Sequence, residues 1–506
     1  MRPSLLLSTC LLLTITPAEA SLRTGTITST SVKDSSGSQG QTGTVGTGST
    51  GSGSVGSSAG DGDVGVKRIL HFSDIHLNIS ESSSDIPIQY GNDAPISLLT
   101  SALEYAQQVL PDPDFFLYTG DYVVHDDPSE EYAAEAVKVS VETMAKYFPE
   151  VASRPQAATA ILGNTDTSPD YAMNVTDPDT EENPSIQAVS GAWNDSLTDS
   201  NLRFFNARGY LAYELDEKLV VLTLNTVPYS PKHTPNATTD NTDPFGQFQW
   251  LNSSLEGLRN SSKFAYIVGH IPPIIDAQDG SPMWEASYID SYKKIVTKYA
   301  DVVKAQIFGH THSIEFRLPL TSDMESQDPE DVITADDNNS TDSSHVVPLF
   351  TAAAISPIFY SNPAFMVWDY HATTYELLDF TVYGTNISSD NEAGLDWHQI
   401  FKASTAYNVS SLSWSELNNF IVVAADDSEI VEQYYYNSQA QSYEQNSCED
   451  SVCLTWYLCS MMWWSTPEDY TACLAAGSRI TATSEASPAL FSVAGLLLPT
   501  ILALWV

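Results

Sequence analysis

The chain has 506 residues, 42% of them hydrophobic, enough to bury the core of one large domain or of two or three ordinary ones. Its 64 acidic residues against 21 basic ones give a formal net charge of −43. That balance excludes a tight nucleic-acid binder and argues against a long polyphosphate as ligand, since polyanions must be met by Lys and Arg.

Residues 1–20, "MRPSLLLSTCLLLTITPAEA", combine a basic start, an apolar centre too short to span a bilayer, and small residues at Ala18 and Ala20. This pattern predicts a secretory signal peptide cut before Ser21. Residues 21–65 are Ser, Thr and Gly with almost no large apolar side chain, so a flexible arm is expected there. From Val66 the texture changes. Five runs rich in β-branched and aromatic residues, "RILHFSDIH", "DFFLYTGD", "ATAILGN", "FAYIVGH" and "AQIFGH", read as strands that each end in small or polar residues. Between the first three lie helix-period segments, "PISLLTSALEYAQQVL" and "EEYAAEAVKVSVETMAKYF", and further strands are expected at "GYLAYEL", "LVVLTLNT", "HVVPLFTAAAI", "AFMVWDY" and "YELLDFTVY". The alternation predicts an α/β fold, a sheet-based sandwich flanked by helices, over residues 66–383.

Residues 384–474 read as a smaller helical C-terminal subdomain holding Cys448, Cys453, Cys459 and Cys473. Once Cys10 leaves with the signal, an even number of cysteines in one short region of an exported chain predicts two disulfides; three pairings are open, and a zinc knuckle is the weaker alternative. The apolar end of the chain, with small residues "AAGS" at 475–478 and no basic residue after the last apolar run, predicts a GPI attachment signal over 475–506, with a C-terminal membrane helix as the alternative. N-x-S/T sequons at Asn78, Asn174, Asn194, Asn236, Asn252, Asn260, Asn338, Asn339, Asn386 and Asn408 agree with export and glycosylation. The expected location is extracellular or at the cell surface, on the membrane through the C-terminal anchor.

The chemistry lies in what ends the five runs: Asp74 and His76, then Asp121, Asn164, His270, and finally His310 with His312. Ligand sites in α/β folds gather at the carboxyl ends of strands. Two carboxylates, one amide oxygen and four imidazoles exceed the needs of a single tetrahedral zinc and suit two metal ions sharing a carboxylate.

In order, "DIH" at 74–76, "GDYVVHD" at 120–126, "GNTD" at 163–166, "GH" at 269–270 and "GHTH" at 309–312 resemble the signature of calcineurin-like metallophosphoesterases. "DPFGQFQWL" at 243–251, "AISPIFYSNPAF" at 354–365 and the Cys-containing helical end make the chain similar to acid sphingomyelinase-like phosphodiesterases from Val66 to Leu474. The resemblance implies one metal on Asp74, His76, Asp121 and His312 and another on Asp121, Asn164, His270 and His310, with Asp121 bridging. It suggests zinc, with iron or manganese also fitting the ligands, and a phosphoester hydrolysed by a metal-bridging hydroxide.

Most relatives carry His directly after the Asn ligand; here it is Thr165, whose hydroxyl can hydrogen-bond a phosphoryl oxygen but is a poor proton donor. This departure resembles endopolyphosphatase-like relatives and weakens the case for sphingomyelin itself, as does the lack of a Cys-rich module before the catalytic region. His125 keeps the other family position associated with proton donation and is the expected acid, with a supporting or solvent-facing histidine as the plainer reading. Asp166 is equally a supporting acceptor or a turn residue. His71 reads as a packed or hydrogen-bonded core histidine, His233 as a surface-loop residue with contact to substrate as the lesser alternative, and "WYLCSMMWW" as a stapled, packed helix rather than a lipid contact. The expected function is a phosphodiesterase acting on a sphingomyelin-like head group or a nucleotide. Polyphosphatase or acid phosphatase activity is the enzymatic alternative, and a non-catalytic surface glycoprotein the remaining one.

Overall fold

A computed structural model describes residues 26–27, 65–79, 87–125, 127–149, 159–235, 241–320, 346–387 and 395–480. The signal peptide, most of the Ser/Gly arm, Asn236, Asn338, Asn339 and everything after Ile480 lie outside the described residues.

The apolar runs become two sheets. One has five strands in the order His398–Lys402, Leu377–Gly384, Ala364–His371, Val66–Phe72, Phe115–Tyr118; the other has seven and centres on Leu219–Thr223, Phe264–Val268, Val303–Phe308 and Leu349–Thr351. Those four central strands are mutually parallel, as are Val66–Phe72 and Phe115–Tyr118, so each set brings its carboxyl ends to one edge. Side chains alternate across a strand. In the seven-stranded sheet Val221, Tyr266 and Val268 enter the core shared with the five-stranded sheet. Val220, Leu222, Ala265 and Ile267 pack on the other face with the helices Gln247–Asn260 and Ala286–Lys298. Burial on both faces explains why these segments read as continuous apolar runs rather than as alternating ones. The facing sheets meet through aromatic pairs such as Phe350 with Trp368 and Tyr266 with Tyr370, whose ring centroids are 5.4 and 6.0 Å apart. The two expected helices are Ile96–Val109 and Glu130–Tyr147; the second is capped by Ser129, whose side chain accepts from the Tyr132 N–H.

Four details differ from the sequence expectation. Residues 159–162, expected as a strand, form no ladder among the described residues; Thr159 instead exchanges side-chain hydrogen bonds with the Tyr118 backbone at 2.9 Å, and Ala160 N–H donates to the Tyr213 hydroxyl. The region from 384, read as helical, first adds the strand His398–Lys402 to the five-stranded sheet. Its helices then join the common core: Phe420, Tyr434 and Tyr457 are buried there, and Phe316 stacks edge-on against Tyr434. Within the arm, Thr26–Ile27 pairs in parallel with Ala212–Tyr213 and extends the seven-stranded sheet. Finally, His233 is buried rather than on the surface, its Nε2 2.6 Å from the Met173 carbonyl oxygen.

The disulfides are Cys448–Cys453 and Cys459–Cys473. Trp463 is buried, its indole N–H donating to the Pro273 carbonyl at 2.7 Å, so "WYLCSMMWW" is core and not a lipid-facing belt. No helix among the described residues is long and apolar enough to cross a membrane. Because Cys459–Cys473 ties the helix Ser451–Ser460 to Pro467–Ile480, replacing both cysteines by Ala should destabilise the protein by about 2–4 kcal/mol. Denaturant unfolding under oxidising conditions checks this; an unchanged midpoint would mean that the bridge closes a segment packing already holds.

Candidate metal centre

All seven side chains singled out at strand ends converge where the carboxyl edges of the two sheets meet. Asp74 and His76 follow Val66–Phe72, Asp121 follows Phe115–Tyr118, His270 follows Phe264–Val268, and His310 and His312 follow Val303–Phe308. Ligand atoms of Asp74, His76 and Asp121, and those of Asp121, His270 and His310, lie within 4.8 Å of one another. Asn164 joins through its Oδ1, 3.2 Å from His270 Nε2, while its amide nitrogen donates to Asp170 at 2.9 Å. Asp121 stands in the middle, its Oδ2 3.1 Å from His270 Nε2 and 3.5 Å from His76 Nε2.

The backbone makes this convergence possible at a conformational cost. Asp74, His76, Asp121, His310 and His312 all have positive φ, between 47° and 73°. Such conformations cost about 1–3 kcal/mol each for residues with side chains and persist where the surroundings over-determine them. Here the turns are stitched together: Asp74 N–H donates to Gly120 O, His76 N–H to Asp121 O, and Gly309 N–H to His270 O. Two glycines supply the room. A Cβ on Gly163 would sit 1.9 Å from Asp121 Oδ1, and one on Gly309 2.3 Å from Ser73 Oγ.

The residues present fit a pair of cations. His76 Nδ1 lies 2.8 Å from the Val123 carbonyl and His270 Nδ1 2.7 Å from that of Thr119. Each Nδ1 must carry a proton to bond a carbonyl; in His76, which burial keeps neutral, this turns the Nε2 lone pair inward, whereas Asp121 outweighs burial and raises His270 to about 9, so that its Nε2 becomes a ligand atom when a cation takes the place of its proton. His76 Nε2 then faces His312 Nε2 at 3.1 Å, and His312 Nδ1 is buried with no hydrogen-bond partner among the described residues, so no contact on that side prevents His312 from turning its own Nε2 lone pair to a cation. Burial lowers His76 to about 4, His310 to about 3 and His312 well below the ordinary range, so these rings are neutral donors of electron pairs. Burial raises Asp74 to about 7; it opposes ionisation of Asp121 as well, but His270, with His76 and His310, outweighs it and holds that carboxylate well below its usual range.

One working residue escaped the sequence reading. Asp93 accepts from the His125 backbone N–H and pairs with His125 Nδ1, both at 2.9 Å, and so aims the ring that stacks on His76 at a centroid distance of 3.9 Å. Burial pulls His125 down, and Asp93, with Asp121 and Asp170, more than reverses it. His125 also falls within 4.8 Å of the His76 and His312 ligand atoms. Asp93 lies in a loop with no motif around it, so no local pattern marked it. Asp166 is the supporting acceptor of its two readings: it takes the N–H groups of Asp121, Tyr122 and Gly163 at 2.7–3.0 Å. Thr165 N–H donates to Asp121 Oδ1 at 3.0 Å, and its hydroxyl is buried with no hydrogen-bond partner among the described residues. "DPFGQFQWL" is structural: Asp243 accepts from Phe248 and Gln249 N–H, and Gln247 bridges Asn225 and Tyr229.

The sequence matches the calcineurin-like phosphoesterase family over residues 67–313 and the acid sphingomyelin phosphodiesterase C-terminal region over residues 339–480. It is 27% identical over 379 residues to sphingomyelinase phosphodiesterase C of Dictyostelium discoideum, covering 74% of this chain and 80% of that one. It is 28% identical over 431 residues to human acid sphingomyelinase-like phosphodiesterase 3b, with 80% and 89% covered. It is also 25% identical over 418 residues to a human cyclic GMP-AMP phosphodiesterase, with 78% and 84% covered.

Gly163→Ala places a methyl group against the Asp121 carboxylate and should abolish tight metal binding while the chain still folds. Metal content per chain after gel filtration, read beside circular dichroism, tests this; a fully loaded variant would show that the close approach is not required.

Proposed function

The chain belongs to the calcineurin-like metallophosphoesterases, with an acid sphingomyelin phosphodiesterase C-terminal region, and is a phosphoric ester hydrolase; from that premise we propose that it cleaves small organic phosphodiesters, a nucleotide or a sphingomyelin-like head group, at a two-metal centre. The observation that carries the reading is the convergence of seven acceptor side chains with two imidazoles tautomerically fixed by backbone carbonyls. Asp74, His76, Asp121 and His312 would hold one ion and Asp121, Asn164, His270 and His310 the other, zinc being the metal that this mixed N/O set and the family suggest. When bound, such a pair supplies an activated water and neutralises charge on the phosphoryl oxygens.

The chain's own residues supply the rest. Thr165, buried with its hydroxyl unpartnered among the described residues, donates to a phosphoryl oxygen. His125, held through Nδ1 by Asp93, presents Nε2 to the leaving alcohol and hands it a proton. Phe359 is 52% exposed and stands edge-on to His125 and His312, with centroids 5.4 and 4.8 Å away, offering an apolar wall to an organic leaving group. The net charge of −43 disfavours polyphosphate.

The two disulfides suit the secretory or lysosomal pathway. A GPI anchor at the cell surface is proposed from residues 475–506, and glycosylation from sequons such as Asn174, Asn194 and Asn260, which are exposed.

Chelator treatment should remove the hydrolysis of bis-p-nitrophenyl phosphate and zinc restore it; activity indifferent to metal would refute the centre. Rates on a nucleotide diester, sphingomyelin, a monoester and polyphosphate then rank the substrates, and a preference for polyphosphate would overturn the substrate class. His125→Ala should slow esters of high-pKa alcohols by about 10²–10⁴-fold while slowing nitrophenyl esters far less. Equal slowing of both would remove His125 as the acid.

A further inference from the structure

Asp74 is reached from behind by a chain of hydrogen bonds that starts outside the metal centre. The indole N–H of Trp368, buried in the facing core, lies 3.1 Å from His71 Nδ1. His71 Nε2 lies 2.9 Å from Thr119 Oγ1, which is 2.6 Å from Ser73 Oγ, and Ser73 Oγ bonds Asp74 Oδ2. Every one of these side chains is buried.

The direction of the chain follows from donor chemistry. Indole nitrogen only donates, so His71 Nδ1 is the acceptor and the single proton of a neutral imidazole sits on Nε2. Thr119 Oγ1 receives that proton and must turn its own hydrogen to Ser73 Oγ. Ser73 in turn can only donate to Asp74. Burial drives the His71 ring down to about 3, so it remains neutral across the physiological range. A proton on Nδ1 would also face the Trp368 N–H. The relay therefore runs one way from the indole, through Thr119 and Ser73, to the Asp74 carboxyl. The backbone N–H of His310 completes the grip on Asp74 at 3.0–3.1 Å, leaving Oδ1 on the side of His312 Nε2, 3.5 Å away. Thr119 serves both halves of the centre, its hydroxyl through Ser73 to Asp74 and its carbonyl directly to His270 Nδ1 at 2.7 Å.

We propose that His71 is a positioning residue for the metal centre: through Thr119 and Ser73 it fixes the orientation of the Asp74 carboxyl, so that removing the imidazole weakens the metal site of Asp74, His76 and His312 in particular. This rests on the reading of Asp74 as a metal ligand. It departs from the plain reading of His71 as core filling, under which any well-packed replacement would serve.

The test is zinc affinity of the full chain, measured by competition with a graded chelator, with bis-p-nitrophenyl phosphate turnover of the metal-saturated protein as the second readout. His71→Phe and Thr119→Val, two separate breaks in one relay, should each weaken one of two zinc sites by about 10- to 100-fold and leave the other tight. Combining them should add little to either alone, as for residues acting through one network. His71→Gln, whose amide can accept from Trp368 and donate to Thr119, should restore most of the lost affinity. Should His71→Phe misfold, Thr119→Val, which keeps the carbonyl that holds His270, still decides. Wild-type affinity at both sites in Thr119→Val, or no recovery in a folded His71→Gln, overturns the relay. Asp74→Asn separates the premises: if it lowers zinc binding while the relay variants do not, only the relay fails, and if it too binds two zinc ions tightly, the ligand assignment falls with it.

Discussion

Crowding two carboxylates, an amide oxygen and four imidazoles into one buried volume is the constraint on which this structure turns. Lone pairs and negative charge repel when water is excluded, and each group must be compensated where it stands. The fold answers with acceptors placed behind several of the ligands. Asp166 gathers the N–H groups that shape the turn around Asp121, Asp170 takes the amide protons of Asn164, and the carbonyls of Val123 and Thr119 fix the histidine tautomers. The lone pairs that these contacts leave over face inward, toward a common point.

The same constraint sets the backbone. Five ligand residues in left-handed turns at the ends of parallel strands would not persist on a lone hairpin. They are held because two sheets, each packed against a core, present their edges to one another and lock the turns by main-chain hydrogen bonds from Asp74 to Gly120 and from Gly309 to His270. Strain at the centre and rigidity in the layers beneath it are two sides of one arrangement.

The sequence made the ligands legible because they sit immediately after apolar runs, where strand ends meet chemistry-bearing residues. The layered α/β fold was legible for the same reason, since runs such as those around Val221 and Ile267 are apolar on both faces. What supports the ligands was not. Asp93 has no neighbouring motif and acquires meaning only when a loop brings it to His125. In the sequence Asp166 stands evenly between a turn residue and a supporting acceptor, and only its three N–H contacts decide between them. His233 reads as a loop histidine because Pro and Lys precede it, yet the loop folds inward against Met173. The segment ending at Leu162 has strand composition but bonds to side chains, a choice made by tertiary neighbours rather than by propensity. The strand His398–Lys402 was hidden by its polar residues, which an edge position tolerates.

The chain leaving His312 does not run free. Ile314 N–H donates to the carbonyl of Ser438, and Leu318 exchanges backbone bonds with Met461 and Trp463 in the cysteine-bearing region. Two residues past a ligand, the polypeptide is already tethered to its own distal end. A C-terminal region grafted from elsewhere would therefore have to offer carbonyls at the places of Ser438 and Met461, or leave the turn bearing His312 without its anchor.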